Sequence, residues 1–233
     1  YQTMLNNLYT MKYSISFFIF ILCISACSNA QNISNSEPCP QGLNLIPLYG
    51  DGKIEKCPQQ KESDERFLKY CDSTFPSRKE AATAYVEMAW KYAEQNDRDN
   101  ATKRFNQAWL LDKSNADVYW GLGIVQGSKE QYDEAEILFR KSLDISPNNE
   151  KVWYCLSINL KEQHTNDDTP ELKKQRIEYL QKAIDLNPNF YPAIQLLRSE
   201  NSEEDSSIKS IKRQGKKETV EYNDGSSIVI SRP

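Results

Sequence analysis

The chain has 233 residues, 39% of them hydrophobic and 27% charged, with 29 Lys and Arg against 33 Asp and Glu for a formal net charge of -4. That mildly acidic balance lacks the basic field a nucleic-acid binder carries, and eight Gly with ten Pro are too few for a linker-like or collagen-like chain. A single histidine, His164, argues against a Ser-His-Asp relay or a multi-histidine metal site, so composition leans away from catalysis.

Residues 1–26 stand apart from the fold. Residues 1–10 do not begin with Met and read as upstream sequence, with Met11 as the initiator. Met11-Lys12 is followed by an uncharged, apolar-rich run from Tyr13 to Ala26, the layout of a secretory signal. The run is short of the roughly 20 apolar residues needed to span a bilayer as a helix. Its last residues, Ile24-Ser25-Ala26-Cys27, resemble the lipobox of bacterial lipoproteins. That resemblance implies cleavage before Cys27 and acyl chains such as palmitate on the new terminal cysteine. Each buried methylene would contribute about 0.8 kcal/mol to anchoring. Ser28, rather than Asp, after the cysteine implies sorting to the outer membrane by the same resemblance. The competing reading takes Ser28-Asn29-Ala30 as a small-residue cleavage site that releases a soluble secreted form. The coincidence of small residues with the cysteine favours the lipoprotein.

Residues 27–60 form a second segment. Ser28 to Pro38 is small and polar, a tether. Cys39 and Cys57 then bracket a stretch rich in turn formers. Neither has a cysteine two residues away or a histidine nearby, and export exposes both thiols to oxidation, which favours a disulfide over a metal site. Closing a loop of this size is worth about 3 kcal/mol in the chain-entropy picture. Cys23 would leave with the signal, and Cys71 and Cys155 fall in helical stretches where they read as small buried hydrophobes.

A helical pattern over Lys61 to Phe75 is expected to cover the first of several self-similar units. From Ala82 the chain places Tyr85, Met88, Ala89, Tyr92, Ala101, Phe105 and Ala108. From Ala116 it places Tyr119, Leu122, Gly123, Ala135, Phe139, Ser142 and Pro147 at matching positions. From Glu150 it places Trp153, Leu156, Ser157, then Leu180, Ala183 and Pro188 after an insertion. This pattern resembles the tetratricopeptide repeat. The resemblance implies an all-α solenoid over 61–199, built from helix hairpins 82–115, 116–149 and 150–190 with a capping helix at 191–199. Ala89, Gly123 and Ser157 are small where paired helices approach, and Pro147 and Pro188 stop the second helices. No unit buries its apolar face alone, so about three are needed. The third departs from the pattern. Glu162 to Thr169 replaces the tight turn, and Arg176 stands where a small alanine belongs, so looser or displaced pairing is expected there.

Residues 200–217, with Glu203-Glu204-Asp205 and Lys212-Arg213, read as a charged linker. In 218–233, two β-prone runs flank Asn223-Asp224-Gly225, a β-hairpin signal. A lone two-stranded hairpin is marginal in water and must dock to be stable.

Candidate chemistry is sparse. Gly121-Leu122-Gly123 with Gly127 lacks the preceding strand of a nucleotide-binding turn. Asp167-Asp168 with Glu171 and the lone His164 read as solvated loop groups. No catalytic pair, metal site or cofactor site is nominated. The family resemblance instead implies a concave groove walled by Val86, Trp90, Trp120, Ile124, Tyr154 and Ile158. Chaperone-binding relatives clamp a carboxylate there with Lys, Asn and Arg, and these six residues do not, so an apolar or aromatic protein or peptide segment is expected. The chain's own Ile228-Val229-Ile230 or the capping helix is the competing occupant. The expectation is a lipid-anchored envelope scaffold on the periplasmic face of the outer membrane, similar to small tetratricopeptide lipoproteins of Gram-negative bacteria. The alternatives are a structural or self-associating envelope protein, or an enzyme acting outside the repeats.

Overall fold

A computed structural model of the chain describes residues 39–201, 208–214, 217–222, 225 and 227–231. Cys27, the signal run, the tether, the Glu203-Glu204-Asp205 cluster and the Asn223-Asp224 pair lie outside the described residues. Eight α-helices are described: α1 (Pro58–Thr74), α2 (Arg78–Glu94), α3 (Arg98–Leu111), α4 (Ala116–Gly127), α5 (Tyr132–Ile145), α6 (Glu150–Gln163), α7 (Pro170–Leu186) and α8 (Tyr191–Glu200). Their starts follow from capping chemistry. The side chains of Ser77, Asp97, Asn115, Asn149 and Thr169 each accept a hydrogen bond from a backbone N–H of the first turn. α5 and α7 end just before Pro147 and Pro188, which have no N–H to continue the ladder.

The helices pair as α2 with α3, α4 with α5 and α6 with α7, and α8 packs on α7. First helices of successive pairs touch one another, α2 with α4 and α4 with α6, while the second helices spread wider on the other side. The stack therefore has an inner layer of first helices and an outer layer of second helices. Its spacing is set by rings against small residues. A Cβ on Gly123 would fall 2.6 Å from the Phe139 ring, and one on Gly121 would fall 2.0 Å from the Phe105 ring. Both glycines of the run are thus explained by helix packing, Gly121 between pairs and Gly123 within one. Ala89, Ala101 and Ala135 are fully buried at the other close approaches.

The Cys39–Cys57 disulfide is formed, with Cα atoms 5.8 Å apart. The loop it closes lies on the outer layer. Asn106 of α3, fully buried, accepts a hydrogen bond from the Leu48 N–H at 2.7 Å and donates to the Asn44 and Ile46 carbonyls at 3.0 and 2.8 Å. Asp51 pairs with Lys141 of α5. Three non-glycine residues here, Leu48, Tyr49 and Asp51, take positive φ between 51° and 54°. Leu48 and Tyr49 are buried, and the Lys56 ammonium sits 3.3 Å over the Tyr49 ring, so packing holds a backbone form that Cβ-bearing residues resist.

Two expectations about the carboxy-terminal part need correcting. Part of the expected linker is a strand, β1 (Ile208–Gln214), and it pairs antiparallel with β2 (Lys217–Tyr222), which pairs with β3 (Ser227–Ser231). A two-stranded hairpin is therefore replaced by a three-stranded sheet of order β1-β2-β3. The physical reason is the weakness of two strands alone: a third supplies another hydrogen-bonded ladder. The charges of Lys209, Lys212 and Arg213 conceal that strand in the sequence.

Candidate partner-binding groove

The six groove residues do not share one fate. Val86, on α2, is buried in the cluster that holds Phe105 and Leu122 and does not face the groove. Its short side chain stays in the core where longer rings at the equivalent places reach outward. Trp90, Trp120, Ile124, Tyr154 and Ile158 are half-buried. Trp90 and Trp120 lie with ring centroids 4.7 Å apart and planes tilted by 55°, and Trp90 also meets Phe105 edge-on at 5.3 Å. Trp120 points its Nε1–H at the Cys155 sulfur at 3.5 Å, and the Lys151 ammonium stands 5.5 Å from its ring. This is an aromatic strip along the inner layer, its rings packed on one another and half-buried.

Tyr154 is different, because Phe190 from the turn into α8 covers it edge-on at 5.5 Å. Burial pushes the Tyr154 phenol above its ordinary pKa. The capping segment thus fills the third-repeat end of the groove. The tail does not: β3 lies against α7 in the outer layer, where Gln181 donates to the Val229 carbonyl at 3.4 Å. The repeat pattern does not mark Phe190 as a groove residue, although it comes after the helix-stopping Pro188 and so sits where the chain turns back.

Cys155 also borders the strip without a signal in the repeat pattern. Burial pushes its thiol up to about 11, outweighing the Trp120 hydrogen bond that lowers it. The sulfur therefore stays protonated at neutral pH and offers an apolar surface rather than a nucleophile. Cys71 is buried and free, its thiol raised by desolvation.

The third pair corrects one reading. Arg176, 2% exposed, is buried and paired on two sides. Its guanidinium makes a two-pronged contact with Asp168 at 2.6 and 2.8 Å and reaches Glu200 at 2.7 Å, and Lys161 joins Glu200 at 2.8 Å. Asp168 is accordingly not a free solvated loop charge; it is the insertion's attachment point. The Arg176 hydrogen bond holds the Asp168 carboxyl below its usual range. Burial opposes ionisation of Glu200, but hydrogen bonds from Arg176 and Lys161 outweigh it and lower that carboxyl too. His164 caps the end of α6. Among the described residues there is no cluster of three His, Cys, Asp or Glu that could hold a metal ion, and no helix is long and apolar enough to cross a membrane.

These helix pairs are the architecture of tetratricopeptide repeats, and residues 116–149 match the family model described as tetratricopeptide repeat. Within this chain, residues 116–149 are thus a tetratricopeptide repeat. No curated protein sequence matches the chain. Solved structures similar to it include the first tetratricopeptide domain of Spaghetti (RPAP3) bound to an HSP90 peptide, at 15% identity over 53% of this chain and 92% of that one, TM-score 0.46. YrrB, a tetratricopeptide protein with an unusual peptide-binding site, is 30% identical over 57% of this chain and 63% of its own, TM-score 0.44. The Yersinia enterocolitica type III secretion chaperone SycD, in complex with a peptide of the translocator YopD, is 15% identical over 52% and 93%, TM-score 0.45. The chain spans less than two thirds of YrrB.

Proposed function

We propose that this chain is a non-catalytic scaffold that holds a protein or peptide partner in the inner-layer groove. The observation that carries this is the Trp90–Trp120 stack continued by Ile124: large apolar groups, half-buried, with the chain's own loop and sheet both docked on the opposite layer. Exposed aromatic surface of this kind, rigid and cheap to order, is what binding hot spots are made of. The partner supplies an apolar or aromatic segment, because the strip presents rings and isoleucines rather than a carboxylate clamp. With Phe190 over Tyr154, the open footprint lies on the first two pairs. An affinity on the order of micromolar, about 8 kcal/mol, is expected.

The anchor is part of the same proposal: acylation at Cys27 and residence in the cell envelope, on the periplasmic face of the outer membrane, rest on the lipobox-like Ile24 to Cys27. Cys27→Ser should abolish lipid labelling and membrane fractionation; a variant that still partitions with membranes would end that part of the reading.

The groove is tested by pull-down from native envelope. Trp120→Ala should lose at least about tenfold in partner capture, as for a central anchor residue, while Trp120→Phe, which keeps an aromatic ring in the strip, should retain most of it. Because Trp120 packs on its neighbours, melting curves of both variants accompany the binding data. Equal capture by Trp120→Ala and the parent would show that the groove is not the working surface.

A further inference from the structure

The outer layer carries a second surface. Between the disulfide loop and the α4–α5 turn the fold leaves a cleft of about 570 Å³. Three isoleucines line it with side chains partly in solvent, Ile46 at 39%, Ile54 at 37% and Ile137 at 56% exposed. Three lysines line the same cleft, Lys53, Lys129 and Lys141. Asp51 and Glu134 are the acidic members of the lining; Asp51 is taken up by Lys141, and Lys129 is 3.7 Å from Asp99, while Lys53 is exposed. The loop is held in a backbone form with positive φ at Leu48, Tyr49 and Asp51, so its display of Ile46 and Ile54 is built in, and packing against Asn106 keeps it there.

What covers this patch is indicated by where the chain enters the fold. Cys39, bonded to Cys57, starts the described loop, and Cys27 lies only twelve residues before it. Twelve residues of chain cannot reach beyond about 40 Å even when fully extended. An anchor at Cys27 therefore holds Cys39 within about that distance of the bilayer.

We infer that the isoleucine–lysine patch is a membrane-docking surface, with Ile46, Ile54 and Ile137 entering the headgroup boundary and Lys53, Lys129 and Lys141 meeting anionic headgroups. The inference rests on the proposed anchor for its geometry. Its consequence is an orientation: the patch belongs to the outer layer, so the aromatic groove of the inner layer faces away from the lipid, toward partners.

The test uses the unacylated chain Ser28–Pro233, which includes the whole compact unit Cys39–Pro233, floated with vesicles of phosphatidylethanolamine and phosphatidylglycerol. The parent should float, and Ile54→Asp with Ile137→Asp should weaken binding at least about tenfold, the least expected for keeping an isoleucine out of the lipid. Lys53→Glu, at an exposed side chain, should weaken it as well. Tyr191→Asp, an exposed aromatic on α8, should leave it unchanged. A parent that does not float, or an Ile54→Asp/Ile137→Asp variant that floats like the parent, overturns the inference. Because this chain carries no acyl group, the outcome is independent of the Cys27→Ser fractionation, and either proposal can fail alone.

Discussion

The second and third helix pairs have the same topology and different interiors. In the second, Gly123 lets α4 approach the Phe139 ring of α5, Gly121 admits Phe105 of the preceding pair, and the turn from α4 to α5 is short. In the third, Glu162 to Thr169 lengthens the turn, and a buried guanidinium takes the place of close contact, tied to the insertion through Asp168 and to the capping helix through Glu200. One pair is held by shape and neutral hydrogen bonds, such as that from the Ser142 hydroxyl to the Ala116 carbonyl. The other is held by charges that must be kept paired, because a lone buried charge costs far more than the pair does. The comparison teaches that a helix hairpin tolerates an arginine at a small-residue position when its neighbours supply carboxylates from both sides.

The largest way to break the contrast is Arg176→Ala. It strands Glu200 with one partner fewer in a buried site and should cost about 3–5 kcal/mol in denaturant unfolding. Hydrogen exchange should rise first over α7 and α8, and Arg176→Met combined with Glu200→Leu should recover much of the loss. A destabilisation spread evenly over all three pairs would contradict this account.

Gly121→Ala probes the seam between the second pair and the first. Its methyl would meet Phe105, which is fully buried and has nowhere to turn, so an overpacking cost of about 1–3 kcal/mol is expected by thermal melting. Trimming the ring with Phe105→Leu in the same chain should reduce that cost, whereas Arg176→Ala should be insensitive to it.

Acid gives the smallest and most selective effect. Asp168 and Glu200 have folded pKa values below their unfolded ones, so the stability they contribute is present above the ordinary carboxylate range of about 4 and is lost as pH falls through their lowered values. Exchange in the insertion and α8 should therefore increase on acidification before exchange in α4 and α5 does. Simultaneous loosening of both pairs would mean that the ion lattice does not set the acid response.

The sequence by itself determined the helical repeats, because spacing, small residues and terminating prolines are local signals that survive without coordinates. It also held the Cys39–Cys57 pairing, since neither cysteine has a histidine nearby or a second cysteine two residues away to share a metal. The aromatic composition of the inner layer was legible for the same reason: Trp120 and Tyr154 stand one repeat apart, as do Trp90, Ile124 and Ile158. Tertiary structure alone decided the rest. Arg176 looked like a flaw because its partners are 8 and 24 residues away, on elements that only packing brings together. Val86 left the groove and Phe190 entered it, because which side chains line a surface depends on how neighbouring elements lean, not on position in a repeat. Asn106 gave no sign in the sequence that it would hold a loop some sixty residues upstream, since a buried amide is defined by the backbone groups it must satisfy, and those are supplied by the fold.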